Sequence, residues 1–432
     1  MKKKLSYIFI SVLVLTAVAQ CTNQKEPRIT EESTVRVLKT LSSDEMKGRY
    51  SLSPDIEKAA DFISAEFNSI GLSPLPELGS FRQNFTLYSI SVDSAFISIN
   101  NREISSKKYF PLIDTDSIRW NDDVAVLKIT SRDKFRDTFL KYRKDNRQSI
   151  VLIDPAHKKT FYRYRNYFSR PSRTFKVGNT PADVFILGDK PIHSFRVFVE
   201  SNIKKHELNN VAGMIEGKRK DEIVIFSAHY DHIGTTQSVR RDSIANGAND
   251  NASGTTAVIE LARYYNALPT PERTIYFIAF TAEELGEYGS QYFADQIDPE
   301  RFVAMINIAM IGKSALDGSK SAWITGFEKS DLGQIMQDAS PDSIYKFSPD
   351  PYNKHRLFYW SDNIPFARLG IPAHTISSTP IEVDNDYHTV KDEFSTINIA
   401  HVRRTIQAIA GASRGIISAE KTPSRIDTTK LR

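Results

Sequence analysis

The stretch Ile223-Val224-Ile225-Phe226, followed closely by His229-Tyr230-Asp231, decides the fold of this 432-residue chain. A continuous apolar run of this length is typical of a strand that is buried on both faces. Residues 274–280 form a second such run, and helical patterns follow both. Because repeated β-then-α units form a largely parallel sheet with helices on both faces, the sequence predicts an α/β fold.

Two helices are expected beside these strands. Ser253 can cap the first, and the second should begin near Thr281. In open α/β sheets, functional side chains collect at the carboxyl ends of the strands. The residues that follow each predicted strand are therefore the first place to look for chemistry.

Six titratable side chains stand at such positions, and together they form a metal-hydrolase pattern. They are His229, Asp231, Asp250, Glu283, Glu284 and His388. Imidazole and carboxylate groups are zinc ligands, and a carboxylate two residues from a metal-bound histidine can support its imidazole. Adjacent glutamates diverge in direction, so one can bind metal while the other takes a proton from water.

Each of these pieces alone has an ordinary explanation. A single His-x-Asp is usually a surface turn, and a double glutamate is usually a solvated helix start. Their conjunction at strand ends makes that explanation improbable. No Gly-x-Ser-x-Gly elbow and no phosphate-binding glycine loop occurs in the chain to compete with it.

The chain resembles the M28 zinc peptidases, which include many bacterial aminopeptidases. The matching stretches are residues 228–234 (around His229), 247–254 (around Asp250), 282–290 (around Glu283), 386–389 (around His388) and the approach segment 41–49. The resemblance covers roughly residues 30–84 and 205–415. It implies a three-layer α/β/α zinc-exopeptidase-like sheet sandwich and hydrolysis of a peptide bond beside a free N-terminus.

The same resemblance implies a role for each site residue. His229 would bind the first zinc, Asp250 would bridge both ions, and Glu284 with His388 would hold the second. Glu283 would be the general base. Independently of the resemblance, Asp231 is expected to take part in catalysis by supporting the imidazole of His229.

One position departs from the family pattern. Related proteins have an aspartate or glutamate where this chain has Ala309, and a methyl group cannot bind metal. Residues 305, 307, 309 and 311 share one strand face, so this position should point toward the site together with Asn307. Three protein ligands and water still make a catalytic zinc, so one or two ions are possible and a weakened, one-metal enzyme is expected.

Two other functions remain open from the sequence. The chain could be a degenerate peptidase fold that binds peptides without cleaving them. It could also be a single-zinc glutaminyl cyclase, although those enzymes usually place tryptophan before the last histidine, where this chain has Tyr387.

The amino-acid composition is that of an ordinary globular protein, and it does not by itself distinguish between functions. The chain is 40% hydrophobic and 25% charged, with a net charge of +5. The basic and aromatic stretch from Tyr162 to Arg170 could grip nucleic acid, but a solvated loop face is the simpler interpretation. Peptide substrate is expected as a partner, and nucleic acid is not.

The N-terminus has the pattern of an export signal. Lys2-Lys3-Lys4 precedes an apolar stretch that is too short to span a bilayer. Cys21, the only cysteine, resembles a bacterial lipoprotein acceptor, although Gln20 departs from the small residue that usually precedes it. A cell-envelope lipoprotein at the periplasmic or outer-membrane face is expected, with a soluble periplasmic or secreted protein as the alternative.

The domain prediction follows from these changes of pattern along the chain. The signal peptide should occupy residues 1–20, a tether 21–29, and the N-terminal helical part of the peptidase domain 30–84. A mostly β insertion should occupy 85–205, the zinc peptidase domain 206–420, and a tail 421–432.

Overall fold

The computed structural model describes residues 27–431, apart from residues 122, 123, 146, 240, 341 and 342. The predicted signal peptide and Cys21 lie outside the described residues. The chain divides into two compact units. The main unit contains the described residues up to Phe81 and those from Val211 onward, and the insertion unit is Arg82–Asn210.

The helices of the described residues are α1 (Glu31–Leu41), α2 (Ile56–Ile70), α3 (Phe135–Lys144), α4 (Lys158–Phe168), α5 (Ser253–Asn266), α6 (Tyr288–Ala294), α7 (Leu332–Ala339), α8 (Asn363–Ala367), α9 (Ile399–Ala412) and α10 (Arg414–Ile417).

The strands of the described residues are β1 (Arg82–Ile99), β2 (Arg102–Glu103), β3 (Tyr109–Leu112), β4 (Ser117–Trp120), β5 (Ala125–Ile129), β6 (Ser149–Ile153), β7 (Ser172–Thr174), β8 (Asp183–Leu187), β9 (Phe195–Ile215), β10 (Arg219–His229), β11 (Thr235–Val239), β12 (Asp242–Ile244), β13 (Arg273–Phe280), β14 (Phe302–Ile308), β15 (Ser321–Ile324), β16 (Lys346–Pro349) and β17 (Ala373–Ser377).

A mixed sheet forms the middle of the main unit, in the order β16-β15-β17-β14-β10-β13-β9. Its centre is parallel, because β10 pairs in parallel with β13 and β14, and β14 pairs in parallel with β17. β15 and the end of β9 are antiparallel to their neighbours β17 and β13. The parallel centre brings the carboxyl ends of four strands to one edge.

Side chains on both faces of this sheet are buried, which makes three layers. Val224 and Phe226 of β10 belong to a core shared with α1, α2, α5 and α9. Ile223 and Ile225, which point the opposite way, belong to a second core shared with α6 and α8. The predicted α/β/α architecture is confirmed.

The insertion unit contains two helices, α3 and α4, as well as strands. The sequence had indicated a mostly β insertion and had not indicated these helices. A small sheet in the order β3-β8-β6-β5 carries α3 and α4. Phe185 of β8 stacks at 4.9 Å from both Phe110 and Phe139, measured between ring centroids. The basic and aromatic stretch lies largely in α4 rather than in a loop, and its Tyr164 packs 5.0 Å from Phe139.

Two local predictions in the main unit are wrong. Ser253 does not cap α5 with its side chain, because its hydroxyl donates to the Asn249 carbonyl (2.7 Å) and accepts the Ile311 N–H (3.0 Å). No helix begins near Thr281, because residues 283–287 turn sharply and α6 starts only at Tyr288. Among the described residues, no helix combines the length and the apolar character needed to cross a membrane.

Candidate active site

Three strand ends converge on one cavity of about 320 Å³. β10 ends at His229, and β14 ends one residue before Ala309. The parallel register pairs Ser227 with Asn307, so His229 and Ala309 lie side by side two residues further along. Both line the cavity, with Asp250, Glu283 and Glu284. The structure thus brings the sequence-predicted residues together.

A buried carboxylate holds the backbone of the loop that carries Asp250. Asp392 accepts the backbone N–H groups of Asn249 at 2.8 Å and of Asp250 at 2.9 Å. Asn249 in turn accepts the Gly312 N–H at 2.8 Å through its side-chain oxygen. These contacts leave the Asp250 carboxylate free to face the cavity.

A fully buried arginine ties the same loop to the approach segment. The Arg49 guanidinium donates to four main-chain carbonyls, at 2.5–2.9 Å, those of Leu41, Tyr230, Asn246 and Gly247. Burial lowers the pKa of Arg49 to about 10, against the opposing charges of Asp392 and Asp250. Arg49 therefore stays a cation at neutral pH and positions the backbone on both sides of the site.

Asp250, Glu284 and His388 form a compact ligand set. The His388 Nε2 lies 3.2 Å from Asp250 Oδ2 and 3.1 Å from the Glu284 carboxylate. Burial lowers the pKa of His388, but hydrogen bonds with both carboxylates outweigh that effect and raise it to about 10. The nitrogen and the carboxylate oxygens thus converge on one point, where a cation could take the place of the shared proton.

A fourth candidate ligand, His232, was missed by sequence reasoning. Its Nδ1 lies 3.0 Å from Glu284 Oε1 and 3.7 Å from Asp250 Oδ2, and the ring is fully buried. Ligand atoms of His232, Asp250, Glu284 and His388 all lie within 4.8 Å of one another. Two imidazoles with two carboxylates are a donor set that suits zinc. The signal was available, since His232 lies within the quoted stretch 228–234.

His229 stands on the other side of Asp250. Its Nε2 lies 3.4 Å from Asp250 Oδ1, and its Nδ1 lies 3.2 Å from the main-chain oxygen of Asp231. The Asp231 carboxylate is further from that ring, at 3.7 Å. It accepts instead from the Ser51 hydroxyl and from the backbone N–H groups of Glu283 and Glu284. Asp231 thus orients the histidine through its backbone and the glutamates through its carboxylate.

Glu283 lines the cavity next to Glu284. Burial raises its pKa well above the usual range, His229 lowers it, and the charges of Glu284, Asp362 and Asp250 raise it further. A cation at the ligand set would favour the carboxylate form, because it would neutralise the neighbouring carboxylates. Glu283 is then placed as a proton acceptor.

Asp362 is a second residue that the sequence did not reveal. It directly precedes α8, its side chain is fully buried, and neither carboxylate oxygen has a hydrogen-bond partner among the described residues. The Ser290 hydroxyl donates to the Glu287 carbonyl at 3.0 Å, and it also lies close enough to the Asp362 carboxylate to lower the pKa of that group. Burial raises the pKa of Asp362 to about 7, against the charge of His229.

Apolar side chains form the outer wall of the cavity. Leu357, Trp323 and Trp360 line it, and the Trp360 side chain is 69% exposed. Tyr387 stacks on the ligand His388 with ring centroids 3.8 Å apart. The site therefore combines a charged floor with an apolar rim.

The sequence model of peptidase family M28 matches residues 210–413, which carry all of the candidate metal ligands and Glu283. That segment belongs to family M28. The M28 segment is similar to aminopeptidase YwaD of Bacillus subtilis, with 29% identity over 233 residues, or 50% of this chain and 46% of YwaD. The chain thus spans about half the length of that relative.

Solved structures show the same fold. The aminopeptidase from Aneurinibacillus sp. strain AM-1 superposes with a TM-score of 0.54 at 19% identity, covering 94% of this chain and 96% of that one. BSAP, a zinc aminopeptidase from Bacillus subtilis, gives a TM-score of 0.55 at 18% identity, covering 93% and 99%. The chain therefore has the fold of these aminopeptidases.

Proposed function

We propose that this protein is a zinc-dependent aminopeptidase, which hydrolyses the peptide bond next to a free N-terminus. The observation that carries the proposal is the contact of His388 with Asp250 and Glu284 at 3.1–3.2 Å, beside Glu283 in one cavity. The names of the relatives support the substrate class, and the donor set supports zinc.

The residues of the site divide into ligands and a proton carrier. Asp250, Glu284 and His388 would hold zinc, and His229 would serve the neighbouring position. Bound zinc supplies an electrophile that polarises the scissile carbonyl and lowers the pKa of water. Glu283 would take the proton of the attacking water and deliver it to the leaving amine. Asp231 would hold the two glutamates in place through their backbone N–H groups.

The apolar rim suggests which N-terminal residue is preferred. Trp360 and Leu357 line the cavity, and ligand pockets are lined mainly by apolar and aromatic side chains that contact the bound molecule. We therefore expect peptides with a large apolar N-terminal side chain to be cleaved faster than peptides with a charged one.

Export to the cell envelope with a lipid anchor at Cys21 is also proposed, on the pattern of residues 2–21 alone. Metabolic labelling of the full chain with a radioactive fatty acid tests it. Label in the unaltered chain and none in Cys21→Ser supports the anchor, whereas equal label in both chains contradicts it.

Hydrolysis assays of the purified protein test the activity. The protein is stripped with a chelator, reloaded with zinc, and given leucyl p-nitroanilide with or without an N-acetyl cap. Zinc-dependent release of nitroaniline from the uncapped substrate only is expected. Equal cleavage of both substrates would exclude an aminopeptidase. Cyclisation of an N-terminal glutamine peptide would identify a cyclase, and zinc binding without any turnover would identify a binding protein.

A further inference from the structure

The insertion unit, Arg82–Asn210, carries an uneven share of the charge of the chain. Its sequence contains 24 Lys and Arg residues against 14 Asp and Glu residues, which gives a net charge of +10. The whole chain has a net charge of only +5, so the residues outside this unit carry a net charge of −5. Positive charge that is concentrated on one unit favours a negatively charged partner for that unit.

The two helices of the insertion unit, α3 and α4, lie side by side on one face of the small sheet. Phe139 of α3 lies 5.0 Å from Tyr164 and 5.7 Å from Phe168 of α4, measured between ring centroids. Phe135 and Phe161 are buried between the helices and the sheet. The sides of α3 and α4 that point away from this core are therefore neighbours on the surface of the unit.

This outer surface of the two helices is basic. It presents six exposed cations, and we call it the basic face: Arg136, Lys141, Lys144, Lys159, Arg163 and Arg170, the last of which follows the end of α4. None of the six forms an ion pair among the described residues, whereas the neighbouring Arg143 pairs with the buried Asp183. The sequences of α3 and α4 contain a single carboxylate, that of Asp137. The positive charge of the basic face is therefore largely uncompensated.

Two exposed apolar side chains lie among these cations. Leu140 of α3 is 43% exposed, and Tyr167 of α4 is 67% exposed. Leu140 lies one helical turn from both Arg136 and Lys144, and Tyr167 lies one turn from Arg163. Helices that lie on a membrane surface combine the same two features, because their cations meet acidic headgroups while their apolar side chains enter the boundary of the acyl chains.

We propose that the basic face, together with Leu140 and Tyr167, binds the surface of a bilayer that contains anionic lipids. The inference is independent of the proposed peptidase activity. Single-stranded nucleic acid would also be attracted to the cations and could stack on Tyr167. It offers no apolar environment for Leu140, however, whereas a lipid surface accommodates both the cations and the apolar side chains.

Co-sedimentation with lipid vesicles tests the basic face. The full chain carrying Cys21→Ser is used, so that no lipid anchor contributes to binding. Vesicles of phosphatidylcholine alone are compared with vesicles of phosphatidylcholine and phosphatidylglycerol in equal amounts. Binding to the mixed vesicles only is expected, and it should weaken as the salt concentration is raised.

Charge removal on the basic face gives the magnitude. Each basic side chain near an anionic surface multiplies the affinity by about five. The triple variant Lys141→Gln, Lys144→Gln and Arg163→Gln should therefore bind the mixed vesicles about 100-fold more weakly. Tyr167→Ser should weaken binding by about ten-fold and leave its salt dependence unchanged, because it removes an apolar contact and no charge.

The matched control removes three exposed lysines of the same unit that lie outside α3 and α4. The triple variant Lys176→Gln, Lys190→Gln and Lys204→Gln changes the net charge by the same amount, and its affinity should stay within about three-fold of the unaltered value. All of these positions are exposed, so thermal melts of both triple variants should match that of the unaltered chain.

The outcomes separate this inference from the alternatives and from the proposed function. Equal losses in the two triple variants would show that only the overall charge matters, and they would overturn the basic face. Binding to neither kind of vesicle, or to both equally, overturns it as well. A single-stranded oligonucleotide that binds more tightly than the mixed vesicles at the same salt concentration would assign the face to nucleic acid instead. A chain that binds the mixed vesicles but releases no nitroaniline would refute the peptidase and leave the basic face standing.

Discussion

Replacing Glu283 with glutamine separates proton transfer from metal binding. The substitution keeps the shape of the side chain and removes only its ability to accept a proton. Glu283 lies in the cavity beside the ligand set, while its own backbone N–H is held by Asp231 at 3.2 Å. Because the ligands Asp250, Glu284 and His388 are unchanged, Glu283→Gln should bind zinc normally.

The expected loss of activity follows from the role of the residue. A positioned general base contributes about 10²–10⁴-fold to a rate, which corresponds to about 3–5 kcal/mol at about 1.36 kcal/mol for each factor of ten. The stability of the metal-free protein, unlike the activity of the zinc enzyme, should not be lowered by this substitution. Since the pKa of Glu283 is raised in the folded state, its charge destabilises folding at any pH above the unfolded pKa. The glutamine variant should therefore be at least as stable at neutral pH.

Three measurements check this reasoning on one preparation. The zinc count by native mass spectrometry should equal that of the unaltered chain, kcat for leucyl p-nitroanilide should fall, and the urea midpoint of the stripped protein should not fall. Glu284→Gln is the matched control, which should lose zinc as well as activity. A Glu283→Gln enzyme that keeps a third or more of kcat would refute the assignment of Glu283 as base.

Three further changes probe the ligands, the rim and the scaffold. His388→Ala should abolish the stabilisation by zinc seen in thermal melts, which for a ligand at a thousand times its Kd is about 4 kcal/mol; an undiminished shift would contradict its role. Trp360→Ala should lower kcat/KM for leucyl substrates by about 5–30-fold, from about 1–2 kcal/mol of lost apolar contact, and leave that for seryl substrates nearly unchanged. Arg49→Met should destabilise the protein by about 3–5 kcal/mol in urea unfolding, because it removes a buried cation that donates to four main-chain carbonyls; a change below about 1 kcal/mol would show that water replaces the guanidinium.

The central strands and the ligand positions could be predicted from the sequence because their signals are local. β10 and β13 are continuous apolar runs, which only a sheet covered on both faces accommodates. The parallel arrangement of such strands then brings His229 and Glu283 to one edge. Helix α2 ends at Ile70, and Gly71 follows it with a φ of 92°, a backbone conformation that favours glycine after the last turn of a helix.

The turn after β13 could not be predicted because a distant residue determines it. Asp231 accepts the backbone N–H groups of Glu283 and Glu284, a task that a helix start would otherwise give to local side chains. Gly286 and Glu287 then adopt positive φ angles of 119° and 56°. The chain leaves the strand in a turn for this reason, and the two carboxylates diverge as the chemistry requires.

His232 and Asp362 were not identified from the sequence, for different reasons. His232 lies inside a recognised motif, but its direction depends on the turn that follows β10, where the His232 N–H donates to the Arg49 carbonyl at 3.0 Å. Asp362 belongs to no motif of metal-ligand spacing. Its raised pKa depends on burial, which cannot be read from residue order.

The rigidity of its neighbours decides what Asp362 can do. On one side Ser361 is bonded to Asn307, and on the other Asn363 accepts the Thr375 hydroxyl at 2.8 Å and donates to the Phe358 carbonyl at 3.0 Å. A carboxylate between two such anchors cannot turn toward solvent to recover its hydration. It must therefore be neutralised where it stands, by a proton or by a cation. Burial raises the pKa of Asp362 to about 7, so a proton can neutralise the carboxylate at and below neutral pH without any movement of its neighbours.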